Sequence, residues 1–386
     1  MLAIVTSHPI QYQAPLWREL AGDGSVPFEV WFLTPHAVAP SLDREFGQTF
    51  AWDLDLLSGY PHRFLDIEAG WRLDRFDGVR LKSTWTQLLR DSGVTALWIE
   101  GWRFRTLWAA VAAARALGIP VWLRGENNDL APERLAKRLW KRIALRWYFA
   151  RIDWFLCIGT ANRRFYSRHG ISADRMVAAP YCIDNARFSA ASQTLRPTRP
   201  MIRGSWQVDP GAHCVLYCGK LIPKKRPQDL QAAVRRLGRV DGRPVHILWV
   251  GDGELRNSLS RAREGAETCS TFAGFLNQSQ MPAAYVAADC VVLPSDYGET
   301  WGLVVNESLA SGTPAIASNR CGCAEDLAAP QGPAHVFPCG DVDALASSIA
   351  SVLRSPPSAE RMQALIDTHA PRRTVETVIV LAHGTS

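Results

Sequence analysis

The residues with the clearest capacity for chemistry lie in Cys290–Ser318, CVVLPSDYGETWGLVVNESLASGTPAIAS. This stretch reads as a buried strand, a polar loop, a helix starting near Gly302, a glycine stop at Gly312 and another strand. Glu299 stands in the loop and Glu307 eight residues on, inside the helix. From those places both carboxylates can face a ligand at the helix N-terminus, where unpaired N–H groups and the positive dipole end favour a phosphate. The same spacing also fits a capping acid followed by an exposed helical acid. A second stretch, YCGKLIPKKRP at Tyr217–Pro227, ends a strand at Gly219 and follows it with Lys220, Lys224, Lys225 and Arg226 in a proline-bounded loop. Cations just past a strand's carboxyl end can neutralise a diphosphate, though a solvated basic loop looks the same in sequence. A third, WVGDGELR at Trp249–Arg256, is a strand and a tight turn. Gly251 and Gly253 begin a dinucleotide fingerprint, but Arg256 stands where its third glycine belongs.

The elements that must hold these loops follow a simple alternation. Short apolar runs at Leu2–Thr6, Phe28–Leu33, Thr95–Ile99, Pro120–Leu123 and Trp154–Ile158 read as strands buried on both faces. Thr106–Leu117 and Glu133–Arg151 read as helices between them. The alternation lapses over Ser189–Ala212, which has three prolines and no sustained period and reads as a linker. It then resumes at His213–Cys218, Val245–Val250, Thr271–Phe272, Cys290–Leu293, Pro314–Ala317 and His335–Phe337. The expected organisation is two Rossmann-like, doubly wound α/β domains facing a central cleft, 1–188 and 213–365, joined by 189–212. A C-terminal helix over 366–386 is expected to pack back on the first domain. At 386 residues the chain is long enough for two domains of ~150 residues. With 47% hydrophobic and 21% charged residues it is not a disordered chain, and a net charge of +6 gives no support for nucleic-acid binding. The nine cysteines fall mostly in apolar runs, as expected of a reduced, cytoplasmic chain, and MLAIVTSHPI is too short and lacks the basic flank of a signal peptide.

Taken in order, GKLIPKKRP, VGDGELR, FAGF, AAYVAADCVVLPSDYGETWGLVVNESLASGTPAIAS and VFPCGD resemble the nucleotide-sugar domain of family-4 retaining glycosyltransferases with the GT-B fold. The resemblance runs from Leu216 to Ala346, about a third of the chain, and IVTSHPIQYQAPLWREL and GIPVWLRGE look like parts of the acceptor domain. It implies a hexosyl transfer from a nucleoside-diphosphate sugar to an acceptor hydroxyl on a glycan, a lipid or a small molecule. By position, Lys220 and Lys225 would bind the donor diphosphate beside Gly219 and Gly251. Glu299 would hydrogen-bond the donor sugar, the backbone of Thr300, Trp301, Gly302, Leu303 and Val304 would reach sugar and phosphate, and Glu307 would hold the ribose. The chain departs from the pattern at Pro9-Ile10-Gln11, where many relatives carry paired glycines, and at Glu126, where many carry histidine. His8 and Glu126 are the acceptor-side catalytic candidates. A sugar-nucleotide epimerase or hydrolase of the same architecture, or a non-catalytic sugar-nucleotide-binding subunit, are the alternatives.

No Gly-x-Ser-x-Gly elbow, His-Glu-x-x-His or P-loop occurs. The triplets Asp53-Leu54-Asp55 and Asp341-Val342-Asp343 stand apart from the lysine and glutamate loops, so no catalytic metal is expected. Glu133–Arg151 carries seven Lys or Arg against one Glu, with Leu139, Trp140, Ile143, Ala144 and Trp147 on one helical face and Arg134, Lys137, Arg138 and Lys141 opposite. That apolar face belongs either to the chain's own core or to an anionic membrane surface, which would put the protein at the inner face of a membrane.

Overall fold

The computed structural model describes residues 1–36, 41–43, 48–50, 52–130, 135–261 and 269–384. The chain forms two compact units: Met1–Ser41 with Asp55–Tyr181 and Pro371–Ser386, and Leu42–Leu54 with Cys182–Ala370.

The first unit is built on a seven-stranded sheet running from His62–Phe64 through Phe28–Phe32, Leu2–Thr6, Ala96–Glu100, Val121–Arg124 and Trp154–Cys157 to Met176–Ala178. All of its pairings are parallel. Leu2–Thr6 and Val121–Arg124 are buried along their whole length, the burial a parallel sheet imposes when helices cover both faces. Winding reverses between Leu2–Thr6 and Ala96–Glu100, which leaves a crevice at their carboxyl ends. The helix Pro371–Gly384 belongs to this unit and packs on Ala14–Asp23, with Arg372 bonded to Asp23 at 2.7 Å. The edge strands His62–Phe64 and Met176–Ala178 are additions to the strands expected from sequence.

The second unit repeats the plan. Its sheet runs Arg239–Val240, Arg243–Val250, His213–Cys218, Cys290–Leu293, Ala315–Ser318, Val336–Phe337, with Ser270–Gly274 also on Arg243–Val250. Among the described pairings of this sheet only the short Arg239–Val240 one is antiparallel. The reversal of winding falls between His213–Cys218 and Cys290–Leu293, the two strands whose following loops carry the lysines and Glu299.

The stretch 189–212, expected as a linker, is instead mostly helical and part of the second unit: Asn185–Leu195, a turn at Arg196–Thr198, then Arg199–Ser205. Pro197 and Pro200 sit in first turns, where a missing N–H costs nothing. Arg199 and Arg203 anchor this segment by donating to Asp289 at 2.6 and 2.8 Å, and the Cys214 amide donates to the same carboxylate at 2.7 Å. Burial would raise the Asp289 pKa, but the Cys214 amide and the two guanidiniums outweigh it and hold the carboxyl below its usual value.

A carboxyl depressed on folding adds stability above its unfolded pKa and loses it as pH falls through the folded value. Asp289→Ala is therefore expected to cost ~3–5 kcal/mol at neutral pH, because Arg203 is left buried without its anion. The deficit should shrink below about pH 4. Urea unfolding of both proteins at the two pH values measures it.

Candidate functional site

Three loops at the carboxyl end of the second unit's sheet form one assembly. After His213–Cys218 the chain turns through Gly219 and Lys220, whose carbonyl accepts from the Tyr217 hydroxyl at 2.8 Å. After Arg243–Val250 comes Gly251, where a Cβ would fall 2.1 Å from the Gly219 carbonyl oxygen, so only glycine lets the two loops touch. The Leu221 amide donates to the Asp252 carbonyl and the Leu255 amide to that of Leu221. The glycines of the incomplete dinucleotide fingerprint thus serve loop-on-loop packing.

The third loop brings Glu299 onto Lys225. The ammonium donates to Glu299 Oε2, and Ser295 Oγ donates to the same oxygen at 2.9 Å. The Asp296 amide donates to the Lys224 carbonyl at 2.9 Å, so backbone and side chains both join the two loops. Burial alone would lower the Lys225 pKa; Glu299 more than reverses this and keeps the ammonium charged. Arg226 serves the loop, with its guanidinium on Asp229 at 2.6 Å.

Glu299 is followed by Gly302, at φ 109°, which caps the helix Leu303–Ala310. The first-turn amides of Leu303 and Val304 have no intrahelical acceptor, as at any helix start, and they carry the positive end of the dipole. Trp301 turns inward: it is 2% exposed and its Nε1 donates to Asn306 Oδ1 at 2.7 Å, which leaves only its backbone to the loop. Glu307 accepts from Gln278 Nε2 at 3.4 Å and from the Tyr285 hydroxyl at 2.5 Å. Burial raises its pKa against the pull of Tyr285, Gln278 and Arg187. Each Glu307 oxygen is engaged by one donor and retains acceptor capacity. Tyr285 and Gln278 lie 22 and 29 residues upstream, and no local pattern announced them.

The first unit carries a pocket of about 810 Å³ at the carboxyl end of its own sheet, lined among others by His8, Gln13, Glu100, Arg103, Arg124 and Glu126. His8 and Glu126, separate in sequence, both line it. Burial first, then His36 and Arg103, push the His8 pKa down to about 4, so the ring is neutral at pH 7. Ser7 Oγ and His8 Nδ1 share a hydrogen bond of 2.8 Å. The Tyr181 hydroxyl donates to Glu126 Oε1 at 2.5 Å.

Glu100 belongs to none of the motifs above. It ends the strand Ala96–Glu100, a position whose only sequence signal is an acid at a buried strand's carboxyl end. Its side chain is 6% exposed, Oε2 lies 3.7 Å from Arg124 and 3.5 Å from Gln13, and the buried Oε1 has no hydrogen-bond partner among the described residues. Burial raises its pKa to about 7 despite Arg124. Of the aspartate triplets, Asp53 accepts from the Ser279 amide and Asp341 caps the helix Val342–Arg354 through the Ala344 amide.

Residues 198–365 match the family model of glycosyl transferases group 1, and Lys220, Lys225, Glu299 and Glu307 all lie inside the match. The glycogen synthase of Mycobacterium tuberculosis is 34% identical over 155 residues, 38% of this chain and 35% of that protein. The GDP-mannose-dependent alpha-(1-6)-phosphatidylinositol dimannoside mannosyltransferase of the same species is 29% identical over 212 residues, 54% of this chain and 51% of that one. The matches therefore span about a third to a half of these relatives' length. Anabaena HepE, solved in complex with UDP, superposes with a TM-score of 0.70 at 15% identity over 99% of each chain. That likeness, with the two parallel-sheet units, gives the chain the GT-B fold.

An acid whose pKa rises on folding stabilises the fold while protonated, below its unfolded value, and ceases to as pH climbs through the folded one, here about 7. Glu100→Gln stays neutral throughout. Its melting temperature relative to wild type should therefore climb between about pH 5 and about pH 8. A flat difference would mean that Arg124 already neutralises the cost of burying Glu100.

Proposed function

We propose that this chain is a retaining glycosyltransferase that moves a hexosyl group from a nucleoside-diphosphate sugar to an acceptor hydroxyl. The observation that carries the reading is the Lys225–Glu299 pair beside the start of the helix Leu303–Ala310, inside the residues that match group 1 glycosyl transferases. In such a transfer the sugar passes through an oxocarbenium-like state while the diphosphate leaves with growing negative charge. Lys220, Lys225 and the Leu303 and Val304 amides are the fixed donors that meet that charge, and no metal is invoked. Glu299, oriented by Lys225 and Ser295, hydrogen-bonds the donor sugar. Glu307, oriented by Tyr285 and Gln278, accepts the ribose hydroxyls.

No carboxylate is assigned as a covalent nucleophile. Retention is proposed to follow from attack on the face the diphosphate leaves, with a phosphate oxygen taking the acceptor's proton. The pocket holding His8, Glu100 and Glu126 is proposed as the acceptor subsite. HepE was solved with UDP and the mannosyltransferase is GDP-mannose-dependent, so both bases belong in the donor screen. All nine cysteines are free thiols, which suits the cytoplasm as the site of this activity.

The test is a melting screen against UDP-, GDP- and ADP-sugars, which a bound donor raises by mass action. The anomeric configuration of the product made from the stabilising donor then follows. Diphosphate release that does not depend on acceptor would make the chain a hydrolase, and an inverted product would remove the same-face mechanism. Turnover should survive EDTA; loss restored by magnesium or manganese would replace the lysine-and-amide account.

Substitutions separate the roles of the two lysines. Lys220→Ala is expected to lower kcat/KM by about one to two orders of magnitude, the worth of a charge-assisted bond, with little change in melting. Lys225→Ala should lower both, because Glu299, 13% exposed, is left without its cation. Adding Glu299→Gln to Lys225→Ala should restore melting but not turnover. Wild-type kinetics in both lysine variants would end the diphosphate assignment.

A further inference from the structure

The helix Leu135–Phe149 buries Leu145, Tyr148 and Phe149 and leaves Ile143 and Trp147 56% and 50% exposed. The predicted face of Ile143, Ala144 and Trp147 therefore points away from the first unit's core. Arg134, and the side chains of Lys137, Arg138, Leu139 and Trp140, lie outside the described residues. Two other elements extend the exposed face. Trp108, on the neighbouring helix Arg105–Ala116, stacks on Trp147 with centroids 5.9 Å apart and an angle of 15°. Phe76, 52% exposed, meets Trp108 edge-on at 6.1 Å, and its carbonyl accepts from the Arg105 amide at 2.7 Å.

We infer that this surface of Phe76, Trp108, Ile143 and Trp147, bordered by Arg142 and Arg146, rests on an anionic lipid surface. Leu145, Tyr148 and Phe149 attach the helix to its unit, and although Trp147 and Phe76 pack on Trp108, Phe76, Ile143 and Trp147 each keep about half of their surface in solvent. Neither helix contains an acidic residue. Arg142 and Arg146 are exposed and have no acidic partner among the described residues, whereas the nearby acids are paired: Asp153 with Arg115 at 2.9 Å and Asp74 with Arg72 at 2.7 Å.

Charge complementarity thus points to an anionic partner, and the indoles give it a second property. Tryptophan beside arginine is suited to the headgroup level of a bilayer, where the ring is partly desolvated and the guanidinium binds phosphate in a fork. Arg151 already lies 3.4 Å over the Trp147 ring, so cation and ring can enter together. Among the described residues no helix is long and apolar enough to cross a membrane, so the contact is peripheral. The inference rests on the first unit alone and stands or falls independently of the donor site.

The full chain should co-sediment at low salt with vesicles of equal parts phosphatidylcholine and phosphatidylglycerol, but not with pure phosphatidylcholine vesicles. Raised salt should release most of it as screening shortens the Debye length. Arg142→Glu with Arg146→Glu should weaken the partition at least about tenfold, and the corresponding Gln pair should do so less. Both sites are exposed, so melting should stay near wild type. Phe76→Ala with Trp147→Ala should remove the binding that persists at high salt. The inference is overturned by no binding at low salt, by equal binding to both vesicle types, or by an undiminished partition of the charge-reversed pair. Self-association that Trp147→Ala abolishes, without vesicle binding, would make the surface a contact between copies.

Discussion

Between Glu299 and Gly302 the chain is held by its neighbours in the second unit. The Gly322 amide donates to the Glu299 carbonyl at 3.2 Å and the Cys323 amide to the Trp301 carbonyl at 3.0 Å. A Cβ on Gly322 would lie 1.9 Å from the Thr300 carbonyl oxygen, so the 321–323 turn presses on the loop backbone directly. Trp301, locked to Asn306, fills the core beneath. With both ends held, the Glu299 carboxylate projects toward Lys225 and the helix begins at Leu303. The lysine loop depends on this arrangement in turn, since Lys224 and Lys225 take a backbone and a side-chain bond from it. The rigidity is what the proposed chemistry requires. Donors fixed before the diphosphate charge develops need not reorganise as it does.

The two units differ in how they hold buried charge. In the second, the lysine loop is matched by opposite charges, Lys225 with Glu299 and Arg226 with Asp229, while Glu307 is held by the neutral donors Tyr285 and Gln278. Asp289 is satisfied three times over, by two guanidiniums and an amide, and it secures Arg199–Ser205 to the start of Cys290–Leu293. In the first unit Glu100 has Arg124 at 3.7 Å and one oxygen without a partner among the described residues, and burial raises its proton affinity. Fully matched charge stiffens a structure, whereas a carboxyl short of donors remains available to a ligand.

What was legible in the sequence divides along the range of the interactions. The central strands could be read because a parallel sheet buries both faces, which short apolar runs such as LAIVT and CVVL between turn signals fit. His62–Phe64 and Met176–Ala178 escaped because three residues at an edge, partly exposed, need no apolar pattern. In 189–212 the prolines signal a break, while the residue that anchors it as packed helix, Asp289, lies about ninety positions away. Glu299 and Glu307 stood out by spacing, yet the groups that orient Glu307 come from a different helix and loop. The basic helix showed its amphipathicity in sequence but not its direction. Leu145, Tyr148 and Phe149 won the core because they meet the unit's other aromatics, such as Phe155 and Tyr166 around Phe149.

The electrostatics of the two candidate subsites also explain why they would not compete for one ligand. The loops of the second unit offer ammonium groups and helix-end amides, an environment that gains from a diphosphate and gives little to a neutral hydroxyl. The pocket of the first unit is lined by Glu100, Glu126 and a neutral His8 together with Arg103 and Arg124, so acids and cations offset one another there and a neutral hydroxyl meets both acceptors and donors. Near pH 7 Glu100, with a pKa of about 7, is divided between a form that accepts a hydroxyl proton's hydrogen bond and one that donates to its oxygen. In the proposed reaction the acceptor's proton goes to the departing phosphate, so the pocket has to bind and orient the nucleophile without removing its proton. Groups that can both donate and accept are suited to that task, and a strong base fixed in the pocket would not be.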